Sequence, residues 1–191
     1  MKRIILIMMA FVAFAANAQY KGASYLELAG GVTIYDGIAG RMEFNTTPSP
    51  NIYGALKYGY LCSNKITVEA NFSFRYLTDD YYWFHVHTYA VSPTVYVNCW
   101  NRNRCTFYLG AGVTGGIQHL LLKDDMYYLL NEDGSFYEKK AELIGGVFIC
   151  PKFEYKFADN WALTIQAAPE LQFNSVRKMN YPVSVGFKWY M

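Results

Sequence analysis

Between Ile66 and Leu77 the chain alternates between apolar and polar residues. Ile66, Val68, Ala70, Phe72, Phe74 and Tyr76 fall on one side of an extended backbone, and Thr67, Glu69, Asn71, Ser73 and Arg75 on the other. Successive side chains of a β-strand point to opposite faces, so the segment predicts a strand with one apolar and one polar face. Trp161, Leu163, Ile165, Ala167, Leu171 and Phe173 repeat the pattern against Thr164, Gln166, Ala168, Glu170 and Gln172. Phe107, Leu109, Ala111, Val113 and Ile117 repeat it against Tyr108, Gly110, Gly112, Thr114 and Gln118, which fills the polar side with small residues. Five further segments, at about 24–34, 51–61, 84–98, 142–157 and 181–191, read the same way and bring the expected total to eight strands. Several reach 10 residues or more, whereas strands of globular proteins average about five or six and a tilted strand crossing a bilayer needs about 9–11.

The connections alternate in length. Ser63-Asn64-Lys65, Trp100 to Arg104 and Ala158-Asp159-Asn160 are short, whereas roughly 35–50, 77–83, 119–141 and 174–180 are longer. Short periplasmic turns alternating with longer extracellular loops characterise outer-membrane barrels, and an even strand count brings both termini to the periplasmic side. The last segment places Tyr181, Val183, Val185, Phe187, Trp189 and Met191 in one apolar row. That row resembles the C-terminal signal of outer-membrane barrels, with Met191 standing where a terminal Phe is usual. The expected fold is therefore all-β, an eight-stranded antiparallel transmembrane β-barrel. The competing arrangement is a secreted lipocalin-like binding barrel or a sandwich, in which the same apolar faces turn inward.

The N-terminus points to the export route. Lys2 and Arg3 precede the apolar run Ile4 to Ala15, and the small-residue site Ala16-Asn17-Ala18 follows. This is the pattern of a secretory signal peptide, too short to span a bilayer. Residues 1–18 are expected to be cleaved during Sec export, leaving 19–191 as the barrel domain, localised to the cell outer membrane in contact with its lipid. Cleavage removes two of the 17 basic residues and none of the 15 acidic ones, so 15 face 15 and the formal charge is zero. With no Lys/Arg cluster, the electrostatic footprint of a nucleic-acid binder is missing. Aromatic residues make up 18% of the chain and include 18 tyrosines, a composition that suits the aromatic girdles of a membrane barrel.

With the apolar faces against lipid, parity assigns Glu27, Lys57, Glu69, Arg75, Glu142, Lys152, Glu154, Lys156, Glu170 and Lys188 to the interior, five basic and five acidic. Ionisable groups in a narrow lumen are costly unless paired, and eight strands leave room only for side chains. The expectation is a closed, salt-bridged core and no pore.

Catalytic residues are not evident. No Ser sits in a nucleophile motif, no carboxylate pair stands at fixed spacing, and the glycines of Gly110-Ala-Gly-Val-Thr-Gly-Gly116 lack the spacing and the strand-to-helix transition of a phosphate loop. They read as lumen fillers and bend points. A hairpin turn centred near Arg102 sets His85 opposite His119 with His87 two residues along, a weak candidate metal site. The competing reading places these rings at the membrane interface beside Tyr82, Trp83 and Tyr89. No cofactor is expected. Cys99 and Cys105 flank the same turn and are a disulfide candidate in an oxidising compartment, whereas Cys62 and Cys150 read as small apolar-like strand residues.

Several blocks resemble one family, the conjugal transfer protein TraO of conjugative transposons. They are Phe107-Tyr-Leu-Gly-Ala-Gly-Val-Thr-Gly-Gly116, the stretch from Leu143 to Ile165, Val183-Ser-Val-Gly-Phe-Lys188 and Tyr25-Leu-Glu-Leu-Ala-Gly30. The resemblance implies an outer-membrane component of a conjugative DNA-transfer apparatus with a structural or docking role, other transfer proteins as partners, and no catalytic residues. A general envelope barrel of the OmpA/OmpX type, serving adhesion or envelope stability, is the alternative, and a small barrel enzyme a third. The exposed loops are the expected partner surfaces. The longest, about 119–141, mixes Leu120-Leu121-Leu122 and Tyr127-Tyr128-Leu129-Leu130 with Asp124, Asp125, Glu132 and Asp133.

Overall fold

A computed structural model describes residues 22–36, 51–79, 84–122, 141–173 and 179–191. The expected signal peptide at 1–18 and the tips of the four long connections, including the apolar stretch Tyr127 to Leu130, lie outside the described residues.

Strands β1 (Ser24–Asp36), β2 (Asn51–Leu61), β3 (Ile66–Asp79), β4 (Phe84–Arg102), β5 (Cys105–Leu122), β6 (Ala141–Ala158), β7 (Trp161–Ala167), β8 (Glu170–Phe173) and β9 (Met179–Tyr190) form one antiparallel sheet. The sheet closes on itself, because β1 pairs with β9 from Tyr25↔Tyr190 to Asp36↔Met179. Both β7 and β8 pair with β6 on one side and β9 on the other, so they are two halves of a single barrel strand and the barrel has eight. The break falls at Ala168-Pro169, where a proline has no N–H for the ladder. Two bonds carry the chain across it, Ala168 N–H to the Pro182 carbonyl at 2.9 Å and Ile149 N–H to the Pro169 carbonyl at 3.3 Å. Among the described residues closure leaves no edge strand, which is what lets a sheet cross lipid.

The two faces are sorted as a membrane demands. Leu28, Leu143, Ile149, Ile165, Phe72 and Val185 are exposed on the exterior, whereas Glu27, Lys57, Glu154 and Glu170 are fully buried inside. Burying charge while exposing leucine is the reverse of a water-soluble barrel. The inward-apolar lipocalin-like arrangement is thus not the one adopted. Trp161, Trp189, Phe187 and Phe157 form an aromatic girdle near the short turns, with Trp161 stacked on Trp189 at 5.9 Å and packed on Phe187 at 4.7 Å.

The β4–β5 hairpin departs from its expected register. Its turn is Asn103-Arg104, with Arg102 paired to Cys105, and a bulge at Cys99 shifts the pairing between Asn98 and Trp100. Asn103 takes the left-handed conformation, at φ 55°, which asparagine tolerates better than most residues. Two expectations fall with this shift. Cys99 sits in the bulge without a cross-strand partner, Cys105 faces Arg102, and all four thiols are free, so Cys99 and Cys105 do not form the anticipated disulfide. His119 lies opposite His87 and not His85, which faces Leu121.

Candidate functional site

The inward faces of all the strands converge on one interior, and its chemistry is ionic. Near the short-turn end Glu27 of β1 occupies the centre. Its carboxylate accepts from Lys57 of β2 at 2.5 Å, from Lys152 of β6 at 2.6 Å and from the Thr164 hydroxyl of β7 at 3.0 Å, with Lys188 of β9 4.0 Å away. Lys152 also reaches Glu69 of β3 at 2.8 Å, so one ammonium from β6 bridges two carboxylates on the strands that flank β2 across the interior. Lys57 donates a further bond to the Gln166 amide oxygen at 2.8 Å. Lys188 pairs with Glu154.

Tyrosines complete this layer. Tyr25 and Tyr96 donate to the two oxygens of Glu69 at 2.7 and 3.2 Å, and Tyr190 donates to Glu154 at 2.5 Å. Lys188 lies 4.0 Å above the Tyr25 ring, and the half-buried Lys156 lies 4.2 Å above that of Tyr190. Cation–π contact and charge-assisted hydrogen bonding thereby replace the water these groups give up. Glycine makes room for the rings. A Cβ at Gly59 would collide with the Tyr25 ring, and one at Gly110 would come within 2.6 Å of the Tyr96 ring.

A second ionic group lies toward the long-connection end. Arg75 of β3 pairs with Glu170 of β8 at 2.7 Å, Asn180 of β9 donates to the same carboxylate at 3.1 Å, and Thr33 of β1 hydrogen-bonds Asn180. Hydroxyl and amide contacts lie between and above, with Ser92 and Thr114 at 3.0 Å and Gln118 donating to Thr88 at 3.2 Å. Glu142, set opposite Gln118 near the rim of β6, is half-buried.

The histidines form a separate constellation on the outer face at the rim. His85 shares a hydrogen bond of 3.1 Å with the Tyr76 hydroxyl and stacks on its ring, while His87 meets Tyr76 edge-on at 5.0 Å. Among the described residues no three His, Cys, Asp or Glu side chains gather as a metal set. The tyrosines of the lumen are the component that sequence reasoning missed. Tyr25 and Tyr53 share the parity of the inward charges of β1 and β2, and Tyr96 that of Ser92 and Thr94 on β4, but an aromatic-rich composition points to the lipid face.

A closed antiparallel barrel with an apolar exterior, an aromatic girdle and an ion-paired interior defines a small outer-membrane β-barrel protein. Solved structures agree on the fold. Neisserial surface protein A superposes with a TM-score of 0.65 at 11% identity, over 89% of this chain and 99% of that one. Ail, the attachment invasion locus protein of Yersinia pestis, gives 0.56 at 11% identity, over 89% and 100%. The N-terminal β-barrel domain of Pseudomonas aeruginosa OprF gives 0.51 at 12% identity, over 90% and 100%. No family model matches the chain, and no curated protein matches it in sequence.

Proposed function

We propose that this chain is a structural barrel of the outer membrane whose lumen is sealed and whose work is done by the connections it holds at the outer surface. The observation that supports this most is the bridge across the interior: Lys152 of β6 binds Glu27 of β1 and Glu69 of β3 together. Side chains from opposite walls that share hydrogen-bonded ion pairs leave no continuous water path for a solute. The reading is non-enzymatic, since the acids and bases of the short-turn layer are committed to one another. The similarity to Ail, named for attachment and invasion, and to the barrel domain of OprF favours a general envelope role in adhesion or stability. Planar bilayers containing the purified barrel are expected to show no conductance steps at the level of a general porin. Steps of that size would contradict the sealed lumen.

The finer reading, a docking subunit of a conjugative DNA-transfer apparatus, is supported by the TraO-like blocks at 107–116, 143–165 and 183–188. These residues are also the lumen fillers and belt residues of β5, β6, β7 and β9, so the likeness carries barrel construction as much as transfer. In that role the loops dock other transfer proteins, and the neutral barrel does not touch DNA. Deleting the gene and scoring conjugation frequency separates the two readings: a loss of transfer assigns the docking role, and unchanged transfer removes it.

A further inference from the structure

The lipid-facing wall is not uniformly ridged. On the outer face of β2 to β5 a groove of about 550 Å³ runs across the strands. Leu56, Phe72 and Tyr89 wall it together with Phe74, and Gly54 and Gly115 keep its two ends open because neither carries a side chain. Paired neighbours make the two walls regular, with Leu56↔Phe72 in one and Phe74↔Tyr89 in the other. The groove lies in the half of the barrel nearer the long connections, since Tyr89 is close to the start of β4 at Phe84 but far from its turn at Arg102.

We propose that this groove is a binding site for one acyl chain of an outer-leaflet lipid. The inference rests on the membrane-barrel reading, because the groove is continuous with the apolar belt. Three observations point to a hydrocarbon chain. The walls are apolar and aromatic, so water gains nothing there, although the volume is many times the roughly 30 Å³ share of one water molecule. Crossing four strands covers three spacings of about 4.8 Å, or roughly 14 Å, long enough to seat a stretch of one extended hydrocarbon chain against the wall. No charged side chain lines the groove, so the recognition is by shape and apolar contact, and the headgroup is left to the rim. Exposed walls such as Phe72 and Tyr89, each 54% accessible, gain most from an occupant that covers them.

Filling the groove tests the proposal without disturbing the fold, because a Cβ added at Gly54 or at Gly115 meets nothing within 4 Å. The double variant Gly54→Leu/Gly115→Leu and the wild-type barrel are purified in mild detergent, titrated with dimyristoylphosphatidylcholine and compared by native mass spectrometry. The wild type is expected to retain one lipid after the loosely held annulus is stripped, and the double variant to bind it about tenfold more weakly. Equal retention by both proteins overturns the proposal, as does the absence of any retained lipid on a wild type that still shows heat-dependent gel mobility. A wild-type dimer that the double variant abolishes would also overturn it, by assigning the groove to a second copy of the chain. If neither protein shows the heat-dependent shift, the membrane-barrel reading itself has failed.

Discussion

Replacing Lys152 with methionine is expected to destabilise the barrel by about 3–5 kcal/mol, the range found when one partner of a buried ion pair is removed. The size follows from what is left behind. Lys152 supplies ammonium contacts to Glu27 at 2.6 Å and to Glu69 at 2.8 Å. Without it Glu69 keeps the Tyr25 and Tyr96 hydroxyls, and Glu27 depends on Lys57 and Thr164, with Lys188 at 4.0 Å. Two carboxylates then share a low-dielectric layer with one strong cation fewer. The triple variant Lys152→Met/Glu27→Gln/Glu69→Gln removes the uncompensated charge and is expected to recover much of the loss, because a neutral layer avoids the desolvation penalty that a broken pair retains. Urea titration of barrels folded in phospholipid vesicles measures both. An undiminished midpoint in the single variant would show that the interior is hydrated enough to screen the charges.

The second large effect concerns the opposite face. Ile149 lies centrally on the 18-residue strand β6 and is 58% exposed. An arginine in its place is expected to cost about 2–4 kcal/mol in a bilayer, the range for a cationic residue at the midplane of a lipid-facing barrel wall. In a water-soluble barrel the same change at so exposed a position would be worth within about 0.5 kcal/mol. The variant therefore measures which solvent the exterior meets. Equilibrium unfolding from vesicles reads the difference, and a neutral outcome would place Ile149 in water.

The parts of this structure that were legible in the sequence are those governed by a period of two. Parity along β3 separates Glu69 and Arg75 from Phe72 and Phe74 without knowledge of any other strand, because a one-residue slip would send every side chain to the wrong face. The same logic reaches Lys152, Glu154 and Lys188 on their own strands. Partners are a different matter. Lys152 and Glu27 are 125 residues apart and on strands that do not pair, so their meeting depends on how far the strands stagger as the barrel closes. No local pattern encodes that stagger.

Register within a single hairpin was also out of reach where a bulge intervenes. The extra residue at Cys99 and the turn at Asn103-Arg104 leave the symmetric spacing of Cys99 and Cys105 about Arg102 without structural meaning, and they pair His87 in place of His85 with His119. Strand ends extend further than the alternation suggests. β5 continues through Leu120-Leu121-Leu122, where three consecutive leucines carry no period-2 signal. Tyr25 and Tyr96 show a further kind of concealment. Their inward position follows parity, but their role as donors to Glu69 becomes visible only when three strands are brought together.

Both the sealed interior and the lipid groove require the apolar faces to meet lipid. The most direct measurement is fractionation of cells producing the protein, followed by gel electrophoresis of unheated and boiled samples. Recovery in the outer membrane with a heat-dependent change in mobility is the predicted result, since a closed hydrogen-bonded barrel resists detergent until boiled. Recovery as a soluble protein whose mobility does not depend on heating would contradict a membrane-spanning barrel.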